Sequence, residues 1–454
     1  MKKFKFIILL TITIFFLTGC FKKSELEDLA YVIAIGIDKG PEDNKIVSFQ
    51  IAVPIKIAGE GSTGGKGSTS IVTLETDTLY NSLSRADTMI SKEITLSHNK
   101  IIVISEELAK EGIHEILNAL VTNREIRPKT SILVYKGKAK EMLENLEPIL
   151  EKNPTRYYDL LLDANEYTGY ALDNNLFNFY VSSKDFLASP YALLTEPVKE
   201  NESSIEIPSK SKSNPDSIPN TNNIETNNKN SENTIQENQG NNNKNEIKNS
   251  TGESQNNQSK EITDGQDNSK TSTPQTANIA GIAIFKNDKL AGEIRNEQII
   301  SHLLLQGQLQ KVNIDIEDIK DAEKTTVIKL HQRERPKINV EIKNDTPKID
   351  ILLRIDCDLI TSGSEIDYTD KENKHKLSEN IKHKLKNDMH IYLIKIAKDF
   401  KTDPIGFGKY YRTKVSTIQE LETLNWEKIF PNSEFNVEFQ IHLDTTQMVS
   451  NQIS

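Results

Sequence analysis

Cysteine is nearly absent: two occur in 454 residues, Cys20 and Cys357. That excludes a disulfide framework and a cysteine-rich zinc site. Tryptophan occurs once, and aromatic residues make up 6% of the chain. Between Asn201 and Thr276 there is no aromatic residue, no leucine and no valine. Such a stretch, built from Asn, Ser, Gln, Lys, Glu and Thr, cannot bury enough apolar area to offset chain entropy. It is expected to be a disordered, solvated tether spanning on the order of 50 Å root-mean-square. An excess of positive charge is missing too. The formal net charge is −10 and includes Lys2, Lys3 and Lys5, so the chain from residue 20 onward stands at −13. A general affinity for nucleic acid is therefore excluded.

Catalytic and ligand-binding signatures are also lacking. Gly59-Glu60-Gly61-Ser62-Thr63-Gly64 has the letters of a dinucleotide fingerprint, but it leads into a strand at Ile71 and not into a helix. Gly65-Lys66-Gly67 fails as a phosphate loop, because Glu60 holds the place of its first glycine and Gly67 that of its Ser or Thr. The eight histidines form no HExxH and no His-x-His, so no metal site is supported locally. Ser97-His98 and His114-Glu115 are bare adjacent pairs, and no GxSxG occurs. No catalytic residue, cofactor or metal is expected, and the reading is of a non-enzyme.

What is present begins at the N-terminus. Lys2, Lys3 and Lys5 precede an apolar run, Phe6 to Leu17, of about twelve residues. That is the anatomy of a signal peptide and is too short for a permanent membrane-spanning helix. Leu17-Thr18-Gly19-Cys20 resembles the lipobox of bacterial lipoproteins. By this resemblance Cys20 becomes an N-palmitoyl, S-diacylglycerol cysteine and the first residue of the mature chain. Several acyl chains give stable anchoring where one is marginal.

The rest reads as an α+β, multidomain chain of small mixed or antiparallel sheets, each packed with helices. About 355 residues remain for packed structure once the signal and the long insertion are set aside. The expected divisions are a signal peptide at 1–19, an N-terminal α/β domain at 20–199, and a disordered insertion or linker at 200–277. A small middle segment at 278–324 and a C-terminal α+β domain at 325–450 follow.

Alternation predicts a hairpin over Leu29 to Val53 and strands at Ile71 to Glu75, Ile101 to Ser105 and Ser131 to Tyr135. Helices are expected over Leu79 to Ile90, capped by Asp77, over Glu106 to Leu120, and through Met142 and Leu146. The segment Thr155 to Leu194 reads as helical. After the insertion, Ile279 to Phe285 is a buried strand, and a short helix follows around Gln298 to Leu305. Ile338 to Leu359 alternates as a hairpin that buries Cys357 on its apolar face. A long helix, Asp370 to Phe400, carries Leu377, Ile381, Leu385, Met389, Leu393 and Ile396 on one stripe. A last strand runs from Phe435 to Leu443, and an antiparallel sheet on one long helix is the expected architecture. Lys371, Lys374, Lys376, Lys382, Lys384 and Lys386, with His375 and His383, make that helix a basic segment. It is a solvated face or a contact for anionic headgroups.

These motifs, in their order, carry a family resemblance. Cys20 is followed by Glu25-Leu26-Glu27-Asp28-Leu29-Ala30 and Ala34-Ile35-Gly36-Ile37-Asp38-Lys39. Then come Ser97-His98-Asn99-Lys100, Glu107-Leu108-Ala109-Lys110-Glu111-Gly112 and Arg124-Glu125-Ile126-Arg127. Beyond the insertion stand Ile284-Phe285-Lys286-Asn287-Asp288-Lys289-Leu290 and Asp403-Pro404-Ile405-Gly406-Phe407-Gly408. Tyr410, Tyr411, Arg412, Trp426 and Phe430-Pro431 complete the set. The chain resembles the Ger(x)C family, the C-subunit lipoproteins of spore germinant receptors. Phe21-Lys22 departs from the Trp-Asp usual in that family, as does the long Asn-rich insertion.

The resemblance implies three domains and a non-enzymatic, lipid-anchored subunit on the outer face of the cell membrane, which in spores is the inner spore membrane. It also implies work with an integral-membrane A subunit and a transporter-like B subunit. A competing reading is a solute-binding lipoprotein that delivers a small ligand to a transporter. Such a protein should show two similar lobes joined by hinge crossovers, and no such pattern is visible.

Overall fold

In the computed structural model, residues 28–53, 69–146, 151, 153–163, 169, 172, 174–197 and 277–444 are described. Cys20, the glycine-rich loop at Gly59 to Gly67 and the stretch 198–276 lie outside them. The described residues build an α+β protein on two sheets.

The first sheet starts with β1 (Leu29–Lys39), β2 (Lys45–Ala52) and β3 (Thr69–Thr76), joined antiparallel as the alternation predicts. Helix α1 (Leu79–Met89) returns along the sheet to β4 (Glu93–Thr95), which pairs parallel with the first residues of β1. The α1 cap is Thr78, not the expected Asp77. The Thr78 hydroxyl accepts the Asn81 N–H at 3.2 Å, while Asp77 accepts the Asn81 side chain.

β5 (Ile101–Ser105) and β6 (Ser131–Tyr135) extend the sheet in parallel. Between them the expected single helix is two, α2 (Glu106–Glu111) and α3 (His114–Thr122). The break falls at Gly112, whose φ of +131° is open to glycine and not to the residues around it.

Helix α4 (Ala139–Asn145) follows β6, and the Tyr- and Phe-rich segment after it yields α5 (Pro154–Leu162), α6 (Leu176–Lys184) and β7 (Tyr191–Pro197). The segment was expected to be helical to Leu194. Its end is a strand because Ala192, Leu193 and Leu194 are buried in the sheet between β6 and β8 (Ala277–Lys286). A hairpin then leads to β9 (Lys289–Ile294). The sheet order is β3-β2-β1-β5-β6-β7-β8-β9, with β4 beside β1.

Its middle is parallel and covered on both faces, so Ile101 to Ile104 can be apolar without alternation. One face, with Ile35, Phe49, Ile102 and Val134, packs under α1, α2, α3 and α6. The other, with Ile33, Val103, Leu133 and Ile284, meets α4 and α5 and continues into the core of the second sheet.

Helix α7 (Glu297–Gln306) lies in that shared core, with every residue from Ile299 to Leu305 buried, Ser301 and His302 included. The second sheet follows: β10 (Lys311–Glu317), β11 (Thr325–Gln332), β12 (Lys337–Lys343) and the 16-residue β13 (Thr346–Thr361). β12 pairs with the first half of β13 and β11 with the second, both antiparallel.

The long helix α8 (Lys371–Ile394) is capped by Asp370, which accepts the N–H groups of Glu372 and Asn373 at 3.0 Å each. It ends in a π-helical turn, Lys395–Asp399, that keeps Ile396 and Ala397 buried. Short helices α9 (Phe407–Arg412), α10 (Ile418–Thr423) and α11 (Trp426–Ile429) lead to β14 (Glu434–Asp444).

β14 runs parallel to β13 from Lys348↔Glu434 to Asp358↔Asp444, so the sheet is mixed and not antiparallel as expected. The helical elements between them return the chain to the starting end, which makes the connection a crossover and not a hairpin.

The segment 278–324, expected as a middle body, divides between the sheets: β8 and β9 complete the first, and β10 opens the second.

Candidate functional site

The motifs that carry the resemblance become fastenings once folded. Asp38, at the end of β1, is buried, and its carboxylate accepts the N–H groups of Ala139 and Lys140 at 2.6 and 2.9 Å. It thereby caps α4 from another element and satisfies donors that helix starts leave open. Burial raises its pKa from the ordinary carboxylate value, against those backbone donors. Lys100 pairs with Asp159 of α5 at 2.8 Å. Glu125 accepts the Leu96 N–H at 2.7 Å, and Ile126 is buried. Asp288, in the β8–β9 turn, takes the His114 N–H at 3.3 Å and accepts the Ile113 N–H on its carbonyl at 3.1 Å.

The densest fastening is the loop Thr402 to Gly408. Asp403 is buried, and its two oxygens accept the Gly406 N–H at 2.8 Å, the Gly408 N–H at 3.0 Å and the Trp426 indole N–H at 3.0 Å. Gly406 adopts φ +76°, the left-handed geometry that lets this loop fold back on the carboxylate. The main chain of Asp403 joins Ser189 in both directions, at 2.8 and 3.0 Å, and so ties the loop to the approach to β7. Gln306 of α7 donates to the Pro404 carbonyl at 2.8 Å. Phe407 is buried against Phe430 and Phe435, with ring centroids 6.2 and 5.9 Å away. Burial pushes the Asp403 carboxyl up to about 6, although its N–H donors favour the charged form.

A cavity of about 30 Å³ adjoins Asp403, lined also by Ala188, Thr402 and Glu427. It has room for a water and not for a metabolite.

A second buried polar pair lies near this joint. His302 of α7 has its Nδ1 2.7 Å from the Tyr392 hydroxyl of α8, and its ring stands edge-on to Tyr191 at 4.7 Å. Burial lowers its pKa to about 3, so the imidazole is neutral at physiological pH.

Other residues noted in the sequence have plainer surroundings. Cys357 is fully buried on β13, and burial pushes its thiol up to about 12; it is a core residue. The His98 Nδ1 lies 3.0 Å from the Ser97 hydroxyl, with its ring edge-on to Tyr31. His114 meets the Lys184 amine at 3.2 Å. In α8, Lys376, Lys382 and Lys384 form ion pairs with Glu372, Glu379 and Asp388 within the helix, which spends half of its basic stripe locally. Among the described residues no group of three His, Cys, Asp or Glu side chains is placed to hold a metal ion. Among them no helix is long and apolar enough to cross a membrane.

The Asp403–Trp426 bond and the His302–Tyr392 pair join residues 23 and 90 positions apart in the chain. Local spacing carries no trace of either.

Comparison with known proteins gives this arrangement its class. A family model described as the spore germination protein N-terminal domain matches residues 22–196. A second, described as spore germination B3/GerAC like, C-terminal, matches residues 280–447. The two leave out the long Asn-rich stretch and take in both sheets, so the fold defined above is that of a spore germination protein. More narrowly, the chain belongs to the GerAC-like family of these proteins.

Among curated relatives, it is 33% identical to spore germination protein KC of Bacillus subtilis (strain 168) over 164 residues, 35% of this chain and 40% of that one. It is 22% identical to the putative spore germination protein YfkR of the same strain over 430 residues, 93% and 91% of the two chains. The crystal structure of the GerBC protein aligns over 90% of this chain and 96% of its own, at 14% identity and a TM-score of 0.49.

Proposed function

We propose that this chain is the lipid-anchored C subunit of a spore germinant receptor, acting by protein–protein contact and not by catalysis. It is held on the outer face of the cell membrane, in spores the inner spore membrane, through acylated Cys20. There it works beside the integral-membrane A and B subunits. The observation that carries this reading is the family match on both sides of the insertion, preceded by Leu17-Thr18-Gly19-Cys20. The joint between the sheets supports it: the cavity beside Asp403 holds about 30 Å³, and the clefts of about 380 and 300 Å³ lie elsewhere, against β10 and α8 and beside α2 and α3. A two-lobed solute-binding protein needs a cleft of a few hundred Å³ there.

The test is deletion of the gene in its own spore-forming host, with germinant-triggered core rehydration as the readout, beside a Cys20→Ala allele. Loss of the response in both, with vegetative growth and uptake unchanged, is the expected result. Normal germination with a defect in the uptake of one solute would overturn the reading in favour of the binding protein.

A further inference from the structure

The start of β1 marks one end of the first sheet, and several elements are fastened to it. β4 pairs there with Leu29, Ala30 and Tyr31. The last turn of α1 is tied to β4 by the Asp87 carboxylate, which accepts the Ile94 N–H at 3.1 Å. Loop 123–130 reaches the same end through Glu125 and Leu96, and through the Thr130 hydroxyl, which donates to the Asn99 carbonyl at 3.2 Å. The first turn of α6 joins that loop by the Phe177 N–H to the Pro128 carbonyl at 3.1 Å. Helix α5 joins it through Lys100 and Asp159.

Two chemistries collect at this end. Met89 and Phe177 are the two most exposed large apolar side chains of the described residues, at 64% and 52%, and Leu160 beside Asp159 is exposed as well. Arg124, Arg127 and Lys129 are exposed on loop 123–130 and take part in no ion pair among the described residues. Three acids of the region have partners of their own, Glu125 with the Leu96 N–H, Asp87 with the Ile94 N–H and Asp159 with Lys100, and of these Glu125 and Asp87 are exposed, as are Asp28 and Glu93. Exposed cations and protruding apolar side chains at one end of a sheet suit the interface of an anionic bilayer, where the apolar chains enter the headgroup layer and the charges meet phosphate. The cluster belongs to a chain whose net charge is −10, so it is local and not a sample of the average surface.

Chain length supplies the occupant. Eight residues lead from Cys20 to Asp28, and a fully extended run of eight spans at most about 28 Å. If Cys20 carries the lipid, the β1 end is held within that distance of the membrane.

We infer that the β1 end, through Met89, Phe177, Arg124, Arg127 and Lys129, is a docking surface for anionic phospholipid that sets how the protein stands on the membrane. This rests on the lipid-anchor reading for its geometry. It replaces the α8 lysines, half of which are paired within their own helix, as the lipid contact.

The full chain, processed in its host and reconstituted in vesicles, tests it. Single cysteines at Met89→Cys, Phe177→Cys and, as control, His375→Cys on α8 carry an environment-sensitive fluorophore. Cys357 does not compete, being buried with a raised pKa. In vesicles of phosphatidylglycerol and brominated phosphatidylcholine, the labels at 89 and 177 should lose most of their fluorescence, and the label at 375 should keep it. Combining Arg124→Gln, Arg127→Gln and Lys129→Gln should weaken contact by about 100-fold and restore the signal, since each basic residue near such a surface is worth roughly fivefold. Equal signals at all three labels, quenching at 375 alone, or quenching indifferent to the triple change would each overturn the proposal. A failure of the anchor reading shows separately: in the protein without added cysteines, a free Cys20 takes the label and an acylated one does not.

Discussion

The two sheets bury their residues by different rules. In β5 consecutive residues Ile102 and Val103 face two cores and are equally inaccessible. In β13 Leu353 is buried, while its neighbour Arg354 lies on an outer face, donating to Gln440 at 2.7 Å and pairing with Glu334. A sheet covered on both faces has no tolerant position, and a sheet covered on one has a tolerant position at every second residue. The middle of the first sheet thus has no tolerant position, and the second presents one face on which sequence can vary. Between them sits a joint whose polar groups are enclosed, with Asp403 matched by three donors while His302 Nε2 and the Thr402 hydroxyl have no hydrogen-bond partner, and that joint should be the most sensitive place of all.

The largest effect is expected there. Asp403→Ala strands three N–H donors and should cost about 3–5 kcal/mol by urea denaturation; a change below that of a single core truncation would move the joint into the tolerant class. Next, Ile102→Ala and Val103→Ala should both be destabilising by about 2–4 kcal/mol, and Leu353→Ala by about 2–5 kcal/mol. Arg354→Ala should remain below about 1 kcal/mol. Equal costs at 353 and 354 would erase the distinction between the sheets.

The joint also contains two groups that respond to pH in opposite senses. His302, lowered to about 3 by burial, contributes stability that is complete above the ordinary histidine value of 6.5 and is lost as pH falls from there towards 3. Asp403, raised to about 6, contributes stability that is complete below the ordinary value of 3.8 and is lost as pH rises through 6. Unfolding midpoints measured from pH 3 to 7 should therefore fall less on the acid side in His302→Gln, where Asp318, held down to about 2, still contributes to the fall below 3.8, and fall more steeply in Asp403→Asn. The smallest effect is expected from removing residues 201–276, which should leave a single cooperative transition; a second transition would show the flanking strands to depend on that stretch.

Legibility in the sequence follows the same division. β12, β13 and β14 alternate because one face is wet, and α8 shows its stripe because one side meets the sheet, so each stood out residue by residue. The pairing of β14 did not: Phe435 to Leu443 alternates equally well beside either neighbour, and direction is decided by the crossover from α8 to α11. α2 and α3 merged into one expected helix because Glu107 to Leu120 keeps helical spacing across Gly112. β7 was hidden in an aromatic-rich segment, and β10 passed without notice although Val312, Ile314 and Ile316 alternate cleanly. Of the candidate site, Asp403 to Gly408 was visible as a loop and Trp426 as a family residue, but nothing in either suggests that one holds the other. Arg124 and Arg127 were visible only as part of a motif. Their exposure, against the burial of Ile126 between them, is a property of the folded end of the sheet.

One pairing in the first sheet has a consequence for how such a gene can change. Pro197 and Ala277 stand opposite each other as the last residue of β7 and the first of β8, and the strands lead away from that point side by side. Whatever lies between these two positions begins and ends at one place on the molecule. Its length costs only a slowly growing closure entropy, about 0.6 kcal/mol for each doubling. Repeat expansion, slippage in Asn codons or wholesale loss can therefore accumulate at that spot over generations without shifting a strand, and the same spot will accept a reporter domain inserted by design.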